Sequence, residues 1–204
     1  MLGYPCIWWY SFSVTPTKYG ATMNSDNPSS ADNQQETELA GIDPWWVVGF
    51  VDGEGCFSVS IHANRLARPT SGWHIQPTFQ VSQHLDHIST LEALTSFFGC
   101  GSVRLKGPNN AVAVYTVYST IQLKNRIIPF FEQHPLRVKR DDFTTFARIV
   151  RAIRNREHHR PEVFEEIVTL AYSMNRRGKQ RARSITEILS GSSETVRQAL
   201  TDHQ

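Results

Sequence analysis

Polar and apolar residues alternate in two neighbouring stretches, "CFSVSIHAN" from Cys56 and "WHIQPTFQVSQ" from Trp73. In the first, Phe57, Val59 and Ile61 share one side, and Cys56, Ser58, Ser60 and His62 share the other. In the second, Ile75, Pro77, Phe79 and Val81 oppose His74, Gln76, Thr78, Gln80 and Ser82. A period of two belongs to strands with one buried face, and Pro77 suits an edge or a bulge. A second pair of strands follows in "GSVRLKG" and "AVAVYTVYS", joined by a turn at Pro108-Asn109-Asn110. Between and after the pairs the spacing becomes helical. "ISTLEALTSFFG" reads as an amphipathic helix closed by Gly99, and "TIQLKNRIIPFFEQ" as a helix with a late proline. "DDFTTFARIVRAIRN" lines up Phe143, Phe146, Val150 and Ile153, and "PEVFEEIVTLAYSM" enters a further helix through Pro161. A helix also starts at Asp43-Pro44, since Asp is a good N-cap and Pro is favoured in the first turn. The order is helix, two strands, helix, two strands, helices: an α+β chain with an antiparallel sheet and helices on one face.

One segment breaks two local rules. "WVVGFVDGEG", residues 46–55, is an apolar helix with glycines at 49 and 53 that ends in Asp52 and Glu54. A glycine inside a helix costs about 1 kcal/mol relative to alanine. An acid at the C-terminal end faces the negative pole of the helix dipole, at a cost of about 0.3–1 kcal/mol. Local violations of this kind point to function. Glycines four apart bare one helix face to another backbone, as small residues do in packed membrane helices, and a copy of the same helix could fill it. A divalent cation would turn the position of Glu54 from unfavourable to favourable. Each residue also has a plainer use, since carboxylates at helix ends serve as caps and Asp-Gly is a common turn pair.

The ends of the chain have a different character. Residues 11–40 include "TKYGATMNSDNPSSADNQQETE", which lacks apolar periodicity, so residues 1–40 read as a mobile extension. Residues 41–183 form the expected domain, and 184–204 a linker with a short helix near "SSETVRQAL". No apolar run approaches the roughly 20 residues of a membrane span, and the apolar start has no basic leader, against secretion. Cys6, Cys56 and Cys100 are odd in number and far apart, which argues against a disulfide framework or a zinc site.

Charge adds a partner class. The net charge is only +2, but residues 1–60 hold one basic and seven acidic residues, whereas 61–204 hold twenty basic and twelve acidic. A basic body invites a polyanion. The water-facing side of the sheet then becomes informative. It presents Ser58, Ser60, His62, Asn64, His74, Gln76, Thr78 and Gln80, with Arg104, Lys106 and Thr116 from the second hairpin. No acid occurs among them. These side chains match the donors and acceptors of base edges, and a two-stranded ribbon fits the major groove.

"WVVGFVDGEGCF", with "FQVSQH" and "HPLRVKRDDF" after it, resembles the LAGLIDADG homing endonucleases, above all the single-motif homodimers encoded in group I introns of ribosomal RNA genes. The resemblance implies the LAGLIDADG fold, an αββαββα core with a saddle-shaped antiparallel sheet, here followed by extra C-terminal helices. It makes the motif helix the dimer interface through Trp46, Gly49, Phe50 and Gly53. Glu54 would bind the metal directly, with Gly53 beside it. Asp52 fills an earlier acidic place that is less often a ligand. Gln83 would position water, Lys139 would lie at the periphery of the site, and His87 matches a basic position. Arg176, Arg177, Lys179 and Arg181 would hold backbone phosphates.

Hydrolysis of a phosphodiester needs an in-line water and metal stabilisation of the attacking and leaving oxygens. One motif supplies one acidic cluster, so cutting both strands calls for a homodimer on a pseudo-palindromic target. The resemblance adds Mg²⁺, with Mn²⁺ as a substitute, 3′ overhangs, double-stranded DNA as partner and a DNA-containing compartment: bacterial cytoplasm, chloroplast or mitochondrion. Two other readings share the fold. A maturase would bind the host intron RNA, but RNA recognition favours exposed aromatics, and Tyr118 is the one candidate on the sheet face. A catalytically inactive DNA-binding regulator is disfavoured by the joint presence of Glu54, Gln83 and Lys139.

Overall fold

A computed structural model describes residues 42–63, 72–107, 111–174 and 183–190. The first helix, α1 (Pro44–Glu54), starts as its cap predicts. The Asp43 carboxylate accepts from the Trp45 and Trp46 amides at 2.8 and 3.2 Å, with Pro44 in the first turn. Val47, Val48 and Val51 are buried, whereas Trp45, Trp46, Gly49, Gly53 and Glu54 are exposed. The helix runs through both glycines to Glu54, as expected. The residue that must be glycine for the monomer is the next one. A Cβ on Gly55 would lie 2.6 Å from Val51 Cγ1 and 2.7 Å from the Val51 carbonyl oxygen.

From Gly55 the chain enters β1 (Gly55–Ala63), which pairs antiparallel with β2 (Trp73–His84) from Gly55↔Val81 to Ala63↔Trp73. After α2 (Ile88–Phe98), closed by Gly99 at φ 61°, come β3 (Ser102–Leu105) and β4 (Val112–Val117). The sheet order is β1-β2-β4-β3, with every neighbouring pair antiparallel. β4 covers only the second half of β2, from Phe79↔Val117 to His84↔Val112. Pro77 therefore sits on a strand that is central by order but at a local edge, where a missing N–H costs nothing to the β4 ladder.

The apolar side of the sheet is closed by aromatic packing. Phe57 meets Phe79, Phe131, Phe143 and Phe146 with centroids 5.0–5.6 Å apart. Burial of each such ring contributes about 1.5–3 kcal/mol. Phe131 belongs to a helical stretch made of α3 (Thr120–Gln122), a π turn (Leu123–Ile127) and α4 (Ile128–Gln133). The π turn accommodates the late proline: Pro129 has no amide to donate, and Ile128 bonds back to the Leu123 carbonyl. α5 (Arg140–Arg154) brings Phe143 and Phe146, a 3₁₀ turn follows at Glu157–His159, and α6 (Pro161–Ser173) closes the layer.

The segment after 183 departs from the expected linker. A helix spans 185–190, opened by the Ser184 hydroxyl accepting from the Glu187 amide at 3.1 Å, and its Ile188 is buried. "SITE" is the pattern of a capping box, a signal that was present in the sequence. Cys100 is free and buried, but Cys56 is disulfide-bonded, contrary to the reading of widely spaced cysteines. No described helix is long and apolar enough to cross a membrane. The expected extension over 1–40, Asn64, the turn at 108–110, the basic loop with Arg176, Arg177, Lys179 and Arg181, and the helix near "SSETVRQAL" lie outside the described residues.

Candidate active site and nucleic-acid interface

The acidic end of α1 is stabilised by residues far away in sequence. The Asp52 carboxylate accepts three backbone amides, from Arg137 at 2.8 Å, Val138 at 3.1 Å and Lys139 at 3.0 Å. In return the Lys139 ammonium donates to the carbonyls of Val51, Asp52 and Gly53 at 3.1, 2.5 and 3.1 Å. The amine thus sits on the negative pole of the helix, joins the Gly55 amide on the Val51 carbonyl and gives the Asp52 and Gly53 carbonyls a donor. Burial pushes the Lys139 amine below its ordinary pKa, opposed by the carboxylates of Asp52, Glu54 and Asp142. Lys139 is therefore more than a peripheral base. It locks the motif helix to the start of α5.

Glu54 differs from Asp52. Its carboxylate is exposed and forms no hydrogen bond with a described residue, although it lies near enough to Lys139 to favour the charged amine. β2 runs antiparallel past this point. Gln83 lies two residues beyond Val81, the partner of Gly55, which carries it past the junction of α1 and β1. Gln83 is half-buried, and its side-chain oxygen accepts from the His84 amide at 3.3 Å. His87 is exposed at the end of a 3₁₀ turn (Leu85–His87) and forms no hydrogen bond or ion pair with Glu54 or Lys139. No group of three or more His, Cys, Asp or Glu residues among the described ones is placed to hold a metal. The donors at the end of α1 are all oxygens: the Glu54 carboxylate and the Gly53 carbonyl. That set suits a hard divalent cation that keeps several of its waters.

The exposed face of α1 is apolar at one end and bare at the other. Trp46 stacks on Phe50 at 4.9 Å and is 44% exposed. A Cβ added to Gly49 or Gly53 would meet nothing within 4 Å. Both glycines are thus spare as far as one chain is concerned, in contrast to Gly55.

The polar sheet face carries the expected row with two corrections. His62↔His74, Ser60↔Gln76 and Ser58↔Thr78 are cross-strand pairs, and His62 and His74 are exposed and ring-stacked at 5.9 Å. Burial, with His74 acting in the same direction, pushes the His62 imidazole below its ordinary pKa. Ser58, however, is buried, with its hydroxyl turned to the Thr78 carbonyl at 3.4 Å, which removes it from the water-facing row. Gln76 is already occupied. Its amide nitrogen donates to the Pro77 and Tyr118 carbonyls at 3.0 and 2.9 Å, and its oxygen meets His74 Nε2 at 3.2 Å. It fastens β2 to the chain beyond β4 instead of reading adenine. Thr78, Gln80 and Thr116 stay half-accessible, and Arg104 is exposed on the edge strand β3. Lys106 lies just past β3, where its amide bonds the Val112 carbonyl at 2.8 Å. Ser60 keeps some exposure, although its hydroxyl bonds the Gln76 carbonyl at 3.3 Å.

Known proteins resemble this chain in sequence and fold. The chain is 30% identical over 148 residues to homing endonuclease I-ApeII of Aeropyrum pernix, covering 71% of this chain and 86% of that protein. It is 32% identical over 136 residues to probable intron-encoded endonuclease 3 of Neurospora crassa, covering 66% of this chain but only 25% of that protein. The chain therefore spans about a quarter of the length of that fungal relative. Among solved structures, the homing endonuclease I-TnaI superposes with a TM-score of 0.64 at 35% identity, over 76% of this chain and 98% of that one. I-SmaMI, bound to its uncleaved DNA target in the presence of calcium ions, superposes with a TM-score of 0.64 at 31% identity, over 74% of this chain and 48% of that one. The LAGLIDADG endonuclease profile matches residues 47–150, which hold the motif helix, all four strands and most of α5. This chain belongs to the LAGLIDADG endonuclease family.

Proposed function

We propose that the protein is a site-specific DNA endonuclease that acts as a homodimer. The observation that carries this reading is the face of α1. It is bare at Gly49 and Gly53, exposed at Trp46, and leads directly to an unpaired carboxylate at Glu54. A second copy of α1 packed there brings the two Glu54 side chains together at the centre of a twofold axis, which no single chain can do. The axis in turn implies a long pseudo-palindromic duplex read by both sheets. Intron-encoded relatives support an intron insertion site as the target; a ribosomal RNA gene, and with it a DNA-containing compartment of an organelle or a bacterium, is what the motif resemblance implies.

Glu54 and the Gly53 carbonyl would hold a divalent cation, Mg²⁺ or Mn²⁺, which would supply Lewis-acid stabilisation of the phosphate when bound. Gln83 orients the attacking water. Lys139 keeps positive charge at the end of the helix and holds the Gly53 carbonyl in place, and His87 lies at the rim. His62, Thr78, Gln80, Arg104, Lys106 and Thr116 contact the groove, with Arg176, Arg177, Lys179 and Arg181 on phosphates. Cuts on the two strands are staggered and leave 3′ overhangs.

The test uses a plasmid library of intronless ribosomal RNA genes, purified protein and Mg²⁺. Discrete double-strand cuts that disappear with EDTA support the reading. No cutting, together with tight binding to the folded intron RNA, contradicts it and favours a maturase.

A further inference from the structure

β2 outruns β4. Residues 73–77 have β1 on one side and no strand on the other, since the β4 ladder ends at Phe79↔Val117. Beside this open stretch lies a cleft of about 470 Å³, lined among others by His74, Gln76, Tyr118, His158 and His159. His74 and Gln76 fall on the polar side by strand alternation, so one wall of the cleft continues the sheet face, while Trp73, Ile75, Ile121 and Ile153 supply apolar lining. His158 and His159 come from the 3₁₀ turn after α5, with their rings 4.0 Å apart. With His62 against His74, four of the chain's eight histidines gather at this end.

We propose that this cleft, walled by His74, His158 and His159, binds a backbone phosphate of the duplex outside the sheet and takes up protons as it does so. The inference rests on the DNA-binding reading above. Three observations carry it. His158 Nδ1 is buried without a hydrogen-bond partner, a donor or acceptor left waiting. The charged neighbours are otherwise engaged: Glu157 accepts from Asn155 at 3.0 Å, Glu162 lies 3.8 Å from Arg160, and the Arg183 guanidinium sits over the Trp73 ring at 5.3 Å. No described acid therefore competes for the imidazoles by direct pairing. Cations are also disfavoured, since these histidines are not grouped to hold a metal.

The electrostatics of the free protein run the other way. Burial, His159 and His74 push the His158 imidazole below its ordinary pKa, with the Ala152 carbonyl opposing. The free protein thus disfavours the charged form of His158. A phosphate favours the charged imidazolium, so DNA binding is coupled to proton uptake and tightens as pH falls.

The experiment measures binding of a fluorescent mixed-sequence duplex in EDTA at constant ionic strength, at about pH 6 and about pH 8, either side of the ordinary imidazole pKa of about 6.5. The unmodified chain is compared with His158→Gln/His159→Gln and with the exposed His159→Gln alone, after thermal unfolding shows that each variant is folded. The result expected is that the unmodified chain gains about three- to tenfold more affinity on acidification than the double variant, with the single variant between them. Calorimetry in buffers of different ionisation enthalpy should show more protons taken up by the unmodified chain. Equal pH dependence in folded variants overturns the site and leaves the DNA reading intact, because every histidine outside the cleft pair is the same in the proteins compared. Absence of duplex binding at both pH values overturns the DNA reading and the site together.

Discussion

Asp52 and Lys139 explain how a helix ending in two acids is tolerated. The Asp52 charge is spent on three amides of residues 137–139, and the Lys139 charge offsets the pole of the helix. Asp52→Asn places an NH₂ group against N–H donors and is expected to cost about 1–3 kcal/mol of stability in urea unfolding. Lys139→Met should cost a similar amount, because the Asp52 and Gly53 carbonyls lose their Lys139 donor and Val51 keeps only the Gly55 amide. The pH dependence has a definite sign. Between the lowered pKa of Lys139 and its ordinary 10.5, the unfolded chain holds a proton that the folded chain has released, so stability from this group rises with pH. Lys139→Met should lose that alkaline increment, and an unchanged profile would detach Lys139 from the helix end. None of this pairing was readable in the sequence. Asp52 and Lys139 stand 87 residues apart, and no local period links them. The same limit hid the use of Gln76 as a tie and the burial of Ser58, since alternation gives a side chain its face but not its partners.

At the scale of elements, the sequence was far more transparent. Asp43-Pro44 placed the start of α1, strict alternation placed the strands, and Gly99 closed α2, because each signal acts within a few residues. The capping pattern "SITE" at 184–187 was also local, but it lay inside a stretch read as linker. Strand order was not legible, as the position of β4 between β2 and β3 depends on contacts across the sheet. Glycine roles needed the structure too. Gly53→Leu should leave the single chain as stable as before or slightly more so, because its side chain meets no part of its own chain and glycine is a poor helix former. Light scattering should nevertheless show loss of the dimer, with loss of cleavage. Gly55→Ala is the contrasting case. Its Cβ collides with Val51, so the fold itself should weaken in thermal unfolding. A dimeric and active Gly53→Leu protein would sink the role of α1 as an interface.

Across the whole molecule, the charge split between a weakly acidic first 60 residues and a basic remainder pointed to a polyanion before any contact was known. The fold gives that charge a geometry, with one polar sheet face, one bare helix face and Glu54 where the two meet. The central claim is that two copies of Glu54 are needed to cut two strands. The most direct measurement uses a supercoiled plasmid carrying the selected target and three dimers: wild type, Glu54→Gln, and a purified mixed dimer with one Glu54→Gln chain. The wild type should linearise the plasmid, the double variant should bind without cutting, and the mixed dimer should lose most double-strand cleavage. Full linearisation by the Glu54→Gln dimer would contradict the account, as would loss of DNA binding by that dimer.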